Sequence, residues 1–294
     1  MTLFADYKQI CTVDAPLAPL TWYKLGGAAD WLFRPRNTAE LAGVVAECRA
    51  NGIPWRVLGQ GANILVRDTG VRGAVILLQD DSWRQVRVDG TSITAGAGVE
   101  LPKLIKRAIA VEMGGLESLA GIPGTVGGSV RMNAGGKYGC VANYLREIQI
   151  LDTKTDTVSS RSADDVGFSY RHSGLDGCIV LSASFDLQPA SRSLLEARHR
   201  QIWNEKYATQ PPLSNRTSGC IFKNPANDAA GRLIDGAGLK GHTLGAARIS
   251  EKHANFVVAS ATATAQNVLD LIDVAKDRVR NEFGVELELE VDIW

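Results

Sequence analysis

Glycines are concentrated in two stretches of the 294-residue chain, and both stretches are candidates for binding phosphate. Residues 114–139 hold nine of the 30 glycines. A second turn, 59–63 (GQGAN), follows an apolar strand pattern at 55–58. Glycine after a strand lets backbone N–H groups converge without a Cβ in the way, which makes a cradle for phosphate oxygens. Two such loops in one chain favour a ligand with a diphosphate; for either loop alone, a tight turn without a ligand is the alternative.

The glycine spacing excludes two common nucleotide-binding motifs. In 59–64 (GQGANI) an isoleucine stands where GxGxxG needs its third glycine, and in 96–101 (GAGVEL) a leucine does. In 121–127 (GIPGTVG) the glycines are three apart, and the chain contains no GxxxxGK[ST]. The sequence therefore predicts neither a nicotinamide-binding Rossmann site nor a P-loop.

Hydrophobic periodicity predicts the helices and strands that must position these loops. Helices are predicted over 37–51, 101–113, 194–207 and 265–283, and strands over 55–58, 74–78, 147–151, 179–187 and 285–293. The first helix presents Leu41, Val44, Val45 and Cys48 on one face. The polar stretch 208–216 is the predicted domain boundary.

Composition narrows the classes of protein. Lys plus Arg and Asp plus Glu both number 32, so a nucleic-acid partner is not expected. The apolar runs are far shorter than the roughly 20 residues of a membrane helix, and MTLFADYKQ is not a signal peptide, so we expect a cytoplasmic protein without a membrane partner. Five cysteines without a CxxC pair and four histidines without HExxH indicate neither disulfides nor a metal site. Four of the five cysteines are expected to be small buried hydrophobic residues.

Seven motifs, in order between residues 21 and 291, resemble the UDP-N-acetylenolpyruvoylglucosamine reductase (MurB) family. They are 21–27 (TWYKLGG), 58–73 (LGQGANILVRDTGVRG), 120–135 (AGIPGTVGGSVRMNAG), 168–173 (FSYRHS), 218–225 (SGCIFKNP), 237–241 (AGLKG) and 250–256 (SEKHANF). The second and third are similar to the two flavin loops of the family.

The resemblance implies an α+β fold. It consists of a two-subdomain FAD-binding module of the vanillyl-alcohol oxidase type and a C-terminal α+β substrate-binding domain. On this chain the module corresponds to residues 1–207, with subdomains of about 1–75 and 76–207, and the C-terminal domain to 208–294. The short linker between FSYR and SGC resembles the compact branch of the family, which lacks an extra substrate-covering loop.

The resemblance also implies a reaction. NADPH reduces non-covalently bound FAD, and a hydride from flavin N5 then reduces the enolpyruvyl double bond of UDP-N-acetylglucosamine enolpyruvate. The product is UDP-N-acetylmuramate, a peptidoglycan precursor. The implied partner is a small-molecule UDP-sugar. The sequence does not specify the oligomeric state, and a monomer is our expectation.

Three residues correspond to the catalytic groups of the family. Arg171 matches the arginine that stabilises charge on the substrate carboxylate, a task suited to a permanent cation with fixed donors. Cys220 stands where serine is common and would protonate carbon, since a thiol with an ordinary pKa near 8.5 is mostly protonated at neutral pH. A buried structural cysteine is the alternative. Glu290 matches the family carboxylate, with Glu288 as the alternative if the strand register differs.

The remaining predicted site residues also come from the matched motifs. The cofactor-binding residues are Gly59, Gln60, Gly61, Ala62, Asn63, Gly121, Ile122, Pro123, Gly124, Thr125, Gly127, Gly128, Asn133, Ala134 and Gly135. The substrate-binding residues are Tyr170, Lys206, Arg216, Asn224 and His253, with a surface role as the alternative for Lys206.

Two other classes of protein stay open at this point. One is an alcohol oxidase of the same flavin fold, which would react with oxygen and lack the set of Arg171, Cys220 and Glu290. The other is a non-catalytic flavin-binding or nucleotide-binding protein. The flavin spectrum, followed by NADPH oxidation with and without the enolpyruvyl substrate, distinguishes the three.

Overall fold

The computed structural model describes residues 3–294. These residues form six α-helices: α1 (Thr38–Ala50), α2 (Leu101–Ala110), α3 (Val126–Arg131), α4 (Arg192–Thr209), α5 (Ala230–Gly236) and α6 (Ala265–Phe283). Their strands are β1 (Cys11–Pro16), β2 (Ala28–Phe33), β3 (Trp55–Leu58), β4 (Ile64–Leu65), β5 (Val71–Leu77), β6 (Val86–Asp89), β7 (Ser92–Gly96), β8 (Met113–Gly114), β9 (Gly135–Gly136), β10 (Gly139–Cys140), β11 (Leu145–Asp152), β12 (Thr157–Ser162), β13 (Cys178–Asp186), β14 (Gln188–Pro189), β15 (Thr243–Leu244), β16 (Ala247–Ile249), β17 (Val257–Ala259) and β18 (Asp292–Ile293).

The chain forms two compact units, each with its own hydrophobic core. Unit 1 comprises Met1–Val13, Asp30–Gln60 and Gly73–Glu205, and unit 2 comprises Asp14–Ala29, Gly61–Arg72 and Lys206–Trp294. Two short N-terminal segments thus belong to the same unit as the C-terminal third. The functional domain limits expected from the sequence, 1–207 and 208–294, stay a prediction, because compactness and function are different criteria.

Unit 1 is built on two sheets. One has the strand order β1-β2-β5-β3, in which β3 and β5 are parallel. The other is antiparallel, with the order β12-β11-β13-β7-β6. The predicted strands at 55–58, 74–78, 147–151 and 179–187 are confirmed as β3, β5, β11 and β13.

Unit 2 is built on helix α6 and the three-stranded sheet β15-β16-β17. The helix is confirmed over its whole predicted length. Thr264 caps its N-terminus by accepting a hydrogen bond from the Asn267 N–H at 3.3 Å. Gly284, in left-handed conformation at φ +67°, ends it. Val268, Leu271, Ile272, Ala275 and Val279 form its buried face.

The first helix is confirmed as well, including its buried face. Leu41, Val44, Val45 and Cys48 are fully buried in unit 1. The Asn37 side chain caps the helix by accepting from the Glu40 N–H at 2.9 Å. All five cysteines are free thiols. Cys48 is buried and the other four are half-buried, so the expectation of four buried cysteines is wrong.

The predicted strand over 285–293 is wrong as a continuous element. Its burial does alternate, with Leu287 and Val291 buried and Glu286 and Glu288 exposed. The segment nevertheless changes partner: residues 288–291 bond to 221–223, whereas β18 runs parallel to β4. A ladder divided between two partners leaves only the two-residue strand β18.

Helix α6 allows a direct test of how segment 61–72 is held in unit 2. The Asp68 carboxylate accepts from the Ala265 N–H at 2.9 Å and from the Gln266 N–H at 3.0 Å, both in the first turn of α6. Asp68→Ala leaves these amides without that acceptor. We expect a loss of about 0.5–2 kcal/mol in the free energy of unfolding, measured by urea denaturation.

The matched control is Asp277→Ala in the same helix. Asp277 makes an exposed ion pair with Arg280, so its removal should change stability by less than about 0.5 kcal/mol. Equal losses in the two variants would show that Asp68 does not anchor the helix.

Candidate active site

The first glycine loop, 59–63, and the second, 120–135, meet through Gln60 and Gly124, which both belong to unit 1. The Gly124 N–H donates to the Gln60 side-chain oxygen at 3.1 Å. A Cβ on Gly59 would lie 2.7 Å from the Thr125 Oγ1, so the backbone after β3 approaches the second loop at a distance that only glycine permits. The structure therefore brings together the loops that the sequence paired only by composition.

Several amides of the second loop already have acceptors within the protein. The N–H groups of Val126 and Gly127 donate to the carbonyls of Val99 and Ala97 at 2.8 and 2.9 Å. The Gly128 N–H donates to Thr125 Oγ1 at 3.4 Å. These amides hold helix α3 against β7 and its continuation, so the predicted donation to a ligand falls to other amides of the two loops.

The open face of the second loop is at Gly124. A Cβ on Gly124 would have its nearest neighbour, Ser129 Oγ, at 4.0 Å, while its φ of +120° strongly favours glycine. The predicted residues Gly121, Ile122 and Pro123 form the turn that leads to it from the 3-10 helix Leu116–Leu119. Free space beside a glycine-specific backbone is what a bound diphosphate needs.

Asn133 links the second loop to the segment that carries Arg171. Its Nδ2 donates to the Ser169 carbonyl at 3.0 Å, and its Oδ1 accepts from the Ala142 N–H at 3.1 Å. The side chain is almost completely buried. The sequence predicts that Asn133 contacts the cofactor, and in the structure its side-chain amide holds the neighbouring turn. The predicted residues Ala134 and Gly135 follow it and lead into β9.

Tyr170 and Arg171 form the tip of a tight turn in unit 1. Ser169 and His172 close it through two backbone hydrogen bonds of 3.1 and 3.2 Å. Arg171 is in the left-handed conformation at φ +56°, which is uncommon for a residue with a long side chain. Its guanidinium lies 5.0 Å from the centroid of the half-exposed Tyr170 ring. Such strain is concentrated at functional positions.

Cys220 and Glu290 lie on adjoining segments of unit 2. The carbonyl of Ile221, next to Cys220, accepts from the Glu290 N–H at 2.8 Å. Glu290 is half-buried, whereas the Glu288 side chain is 73% exposed and pairs with Lys223. The two candidate residues therefore differ in environment, and Glu290 is the less exposed of the two.

Asn63 connects the first predicted loop to this pair. Its Nδ2 donates to the Glu290 carbonyl at 2.9 Å, and its own carbonyl accepts from the Asp292 N–H at 3.0 Å. The neighbouring Gly61 packs against residues 20–21, where a Cβ would lie 2.6 Å from the Leu20 carbonyl. A side chain at position 61 would thus disturb the packing of unit 2. Ala62, which stands between Gly61 and Asn63, is half-buried.

The predicted substrate residues of unit 2 also make structural contacts. Asn224 Oδ1 accepts from the Ala230 N–H at 3.0 Å, at the start of α5. His253 Nδ1 accepts from the Asn255 N–H at 3.2 Å, and burial, then Lys240, lowers its pKa, so the neutral form is favoured.

The two predicted basic contacts lie elsewhere in unit 2. The Arg216 guanidinium donates to the Ala261 carbonyl at 3.4 Å, and Lys206 lies near the end of α4.

Sequence reasoning missed Asn255, the residue that holds the segment after Cys220. It is 2% exposed and bonds both backbone groups of Phe222, accepting from its N–H at 2.9 Å and donating to its carbonyl at 2.8 Å. The signal was an asparagine inside an otherwise apolar run, 254–259.

Among residues 3–294 no cluster of His, Cys, Asp or Glu is arranged to bind a metal ion, and no helix is long and apolar enough to cross a membrane.

Comparison with known proteins identifies the class and the family. The FAD binding domain family model matches residues 29–160, and the model of the UDP-N-acetylenolpyruvoylglucosamine reductase C-terminal domain matches residues 210–294. A solvent-stable cholesterol oxidase shares the fold at a TM-score of 0.51 and 16% identity, over 63% of this chain and 39% of that one. The two matched domains together define an FAD-dependent reductase, and with the shared fold they confirm the predicted α+β flavin module with its C-terminal domain.

Two full-length relatives and a crystal structure specify the family. UDP-N-acetylenolpyruvoylglucosamine reductases from Moorella thermoacetica and Streptococcus pneumoniae are 42% and 41% identical, covering 97% and 95% of this chain and 93% and 92% of theirs. The crystal structure of the Thermus caldophilus reductase (MurB) superimposes with a TM-score of 0.81 at 36% identity, over 97% of this chain and 98% of that one. The chain belongs to the UDP-N-acetylenolpyruvoylglucosamine reductase family.

The residues present fit FAD, the cofactor of the matched domain. Two glycine loops meet through Gln60 and Gly124, and the second offers open space at a glycine-specific backbone. Residues 59–60 and 121–125 would hold the diphosphate of the cofactor in unit 1.

The loop assignment is tested by Gly124→Val. The side chain would occupy the open face of the loop, and the φ of +120° adds strain of about 1–3 kcal/mol, so we expect a folded but colourless protein. Absorbance at flavin wavelengths after purification measures the occupancy, and far-UV circular dichroism measures the fold.

Gly90→Val is the matched control, since Gly90 also has positive φ and open space but lies in the turn between β6 and β7. It should purify yellow. Full flavin occupancy in Gly124→Val would remove the loop assignment.

Proposed function

We propose that the protein reduces the enolpyruvyl double bond of UDP-N-acetylglucosamine enolpyruvate to give UDP-N-acetylmuramate, with NADPH as the reductant. FAD, when bound, supplies the redox chemistry by carrying a hydride from NADPH to the substrate. The observation that carries the proposal is that Cys220 and the half-buried Glu290 lie on adjoining segments. The names of the full-length relatives support the substrate.

Reduction of an enolpyruvyl group leaves two tasks to side chains. Negative charge moves onto the substrate carboxylate, giving an enediolate-like species that must be stabilised, and the neighbouring carbon must then receive a proton. The first task requires donors that are already in place, because groups that need not reorganise stabilise developing charge best. The second requires an acid with a transferable proton at the correct position.

Arg171 performs the first task in this proposal. Its guanidinium is permanently charged and offers planar donors to a carboxylate. The closed turn at 169–172 and the anchor from Asn133 restrict where that cation lies. A strained backbone that is held on both sides suits a preorganised donor. Tyr170, beside it, would contact the substrate.

Cys220 performs the second task, and Glu290 assists at the carboxylate. A thiol with an ordinary pKa near 8.5 is mostly protonated at neutral pH and is a stronger acid than a serine hydroxyl, so cysteine can donate the proton. The half-buried Glu290 lies on the segment bonded to Ile221. There it would polarise the substrate carboxylate or donate a proton to it as negative charge develops. Asn224, His253, Arg216 and Lys206 are proposed contacts of the UDP-sugar.

The charge-stabilising residues are tested by Arg171→Ala and Glu290→Gln. Both variants should retain FAD reduction by NADPH but reduce the enolpyruvyl substrate about 10²–10³-fold more slowly, because one preorganised group is lost. Stopped-flow absorbance of the flavin separates the two half-reactions.

Glu288→Gln is the matched control for Glu290→Gln. Glu288 is 73% exposed and paired with Lys223, so its loss should leave both half-reactions near the parent values. A slow Glu288→Gln beside a normal Glu290→Gln would assign the carboxylate to Glu288.

The proton donor is tested by comparing Cys220→Ser with Cys220→Ala. Serine keeps a transferable proton and should retain much of the activity, whereas alanine should lose about 10²–10⁴-fold in substrate turnover. NADPH oxidation in the presence and absence of the enolpyruvyl substrate measures both. A packing cysteine predicts instead an alanine variant with parental turnover and lower stability, and that outcome would sink the assignment.

A further inference from the structure

The segment that leads into Cys220 contains one residue more than the segment with which it pairs. Arg216 pairs with Ala259, and Cys220 pairs with Phe256. Four steps along one segment therefore match three along the other, which defines a β-bulge. Gly219 lies inside it at φ +83°, and a Cβ added there would have no heavy atom within 4 Å. Bulges redirect the side chain that follows them, and the residue that follows here is Cys220.

The ladder is intact on both sides of the bulge. The Ala259 N–H donates to the Arg216 carbonyl at 2.9 Å, and the Ile221 N–H donates to the Asn255 carbonyl at 2.9 Å. Continued regularly from the first pair, the ladder would join the Ser218 N–H to the Val257 carbonyl. The extra residue falls at this rung.

The hydroxyl of Tyr23 occupies that rung. It donates to the Val257 carbonyl at 3.1 Å, and its ring is completely buried. Burial raises the pKa of Tyr23 to about 12, while the Ser218 and Thr217 hydroxyls and the Ser218 backbone N–H oppose this rise. A phenol donates and accepts at the same oxygen. Tyr23 is therefore placed to bridge the carbonyl and the amide that the bulge separates.

Two buried hydroxyl groups beside this rung, on Thr217 and Ser218, also lie near the Tyr23 oxygen. Thr217 and Ser218 are 4% and 3% exposed, and within residues 3–294 neither hydroxyl has a hydrogen-bond partner of good geometry. Both lie near enough to the phenol oxygen to affect its pKa. Buried hydroxyls without a partner are rare and costly. Removal of the phenol oxygen would leave this pocket without its nearby acceptor.

We propose that Tyr23 is a positioning residue for Cys220: its hydroxyl bridges the broken rung between Ser218 and Val257 and so holds the bulge that directs the thiol. All of these residues belong to unit 2. Only the expected effect on turnover rests on the proposed function. The position of the thiol is measured without turnover, so the two can fail separately.

The experiment is Tyr23→Phe, which removes one oxygen atom and keeps the ring. Alkylation of Cys220 by iodoacetamide is followed across pH by mass spectrometry of the peptide that carries it. We expect a shifted pH midpoint and a changed rate relative to the parent. FAD content and flavin reduction by NADPH should match the parent, while reduction of the enolpyruvyl substrate should fall about 10–100-fold, the cost of a small displacement.

Tyr7→Phe is the matched control, a hydroxyl deletion at a half-buried tyrosine packed against the unit 1 core. It should leave the alkylation profile of Cys220 and the turnover unchanged. An unchanged alkylation profile in Tyr23→Phe would overturn the proposal. A changed profile with parental turnover would support the position of Tyr23 and count against Cys220 as the acid.

A measurement on the parent protein covers the case in which Tyr23→Phe does not fold. Hydrogen exchange of the Ser218 amide should be slow, because the bridge gives this N–H an acceptor. Exchange as fast as that of an exposed loop amide would overturn the proposal as well.

Discussion

The close backbone packing of segments 20–28 and 61–70 is the constraint on which unit 2 depends. A Cβ on Gly27 would lie 2.5 Å from the Asp68 carbonyl, and one on Gly61 would lie 2.6 Å from the Leu20 carbonyl. Hydrogen bonds join the segments directly, from the Trp22 N–H to the Gly61 carbonyl at 3.0 Å and from the Gly27 N–H to the Arg67 carbonyl at 2.9 Å. Only glycine permits this approach, because any side chain would separate the two backbones.

Three polar side chains on these segments then reach different parts of unit 2. Asp68 binds the first turn of α6, Asn63 binds the Glu290 carbonyl, and Tyr23 binds the Val257 carbonyl beside the bulge. Each contact joins residues that are more than 190 positions apart in the chain. The N-terminal segments thus act as a support for the residues that carry the proposed acid and carboxylate.

Unit 1 shows the same arrangement around its cation. Asn133 leaves the glycine-rich loop and holds the turn at Ser169, and that turn keeps Arg171 in a left-handed conformation. Strain of this kind persists only where neighbouring contacts determine the conformation. The glycine-rich loop and the charged residue are consequently parts of one hydrogen-bonded network, in which a change in the loop reaches the turn through a single buried amide.

The sequence alone determined the elements with strong local signals. Asn37 and Thr264 cap helices with their own side chains, and Gly284 ends one through its left-handed backbone, so α1 and α6 were predictable to within a residue or two. The seven motifs likewise identified the family, since they record which residue types the fold needs at given spacings.

Tertiary structure alone decided which distant segments pair with one another and in which register. The strand expected over 285–293 was lost because its residues divide between 221–223 and β4, a choice of partners that local alternation does not encode. The bulge at Gly219 arises from the register between 216–220 and 256–259, and Tyr23 enters it from about 200 residues away. Periodicity reports which face of a segment is buried, whereas pairing and register are set by contacts between distant segments, and these exist only once the chain has folded.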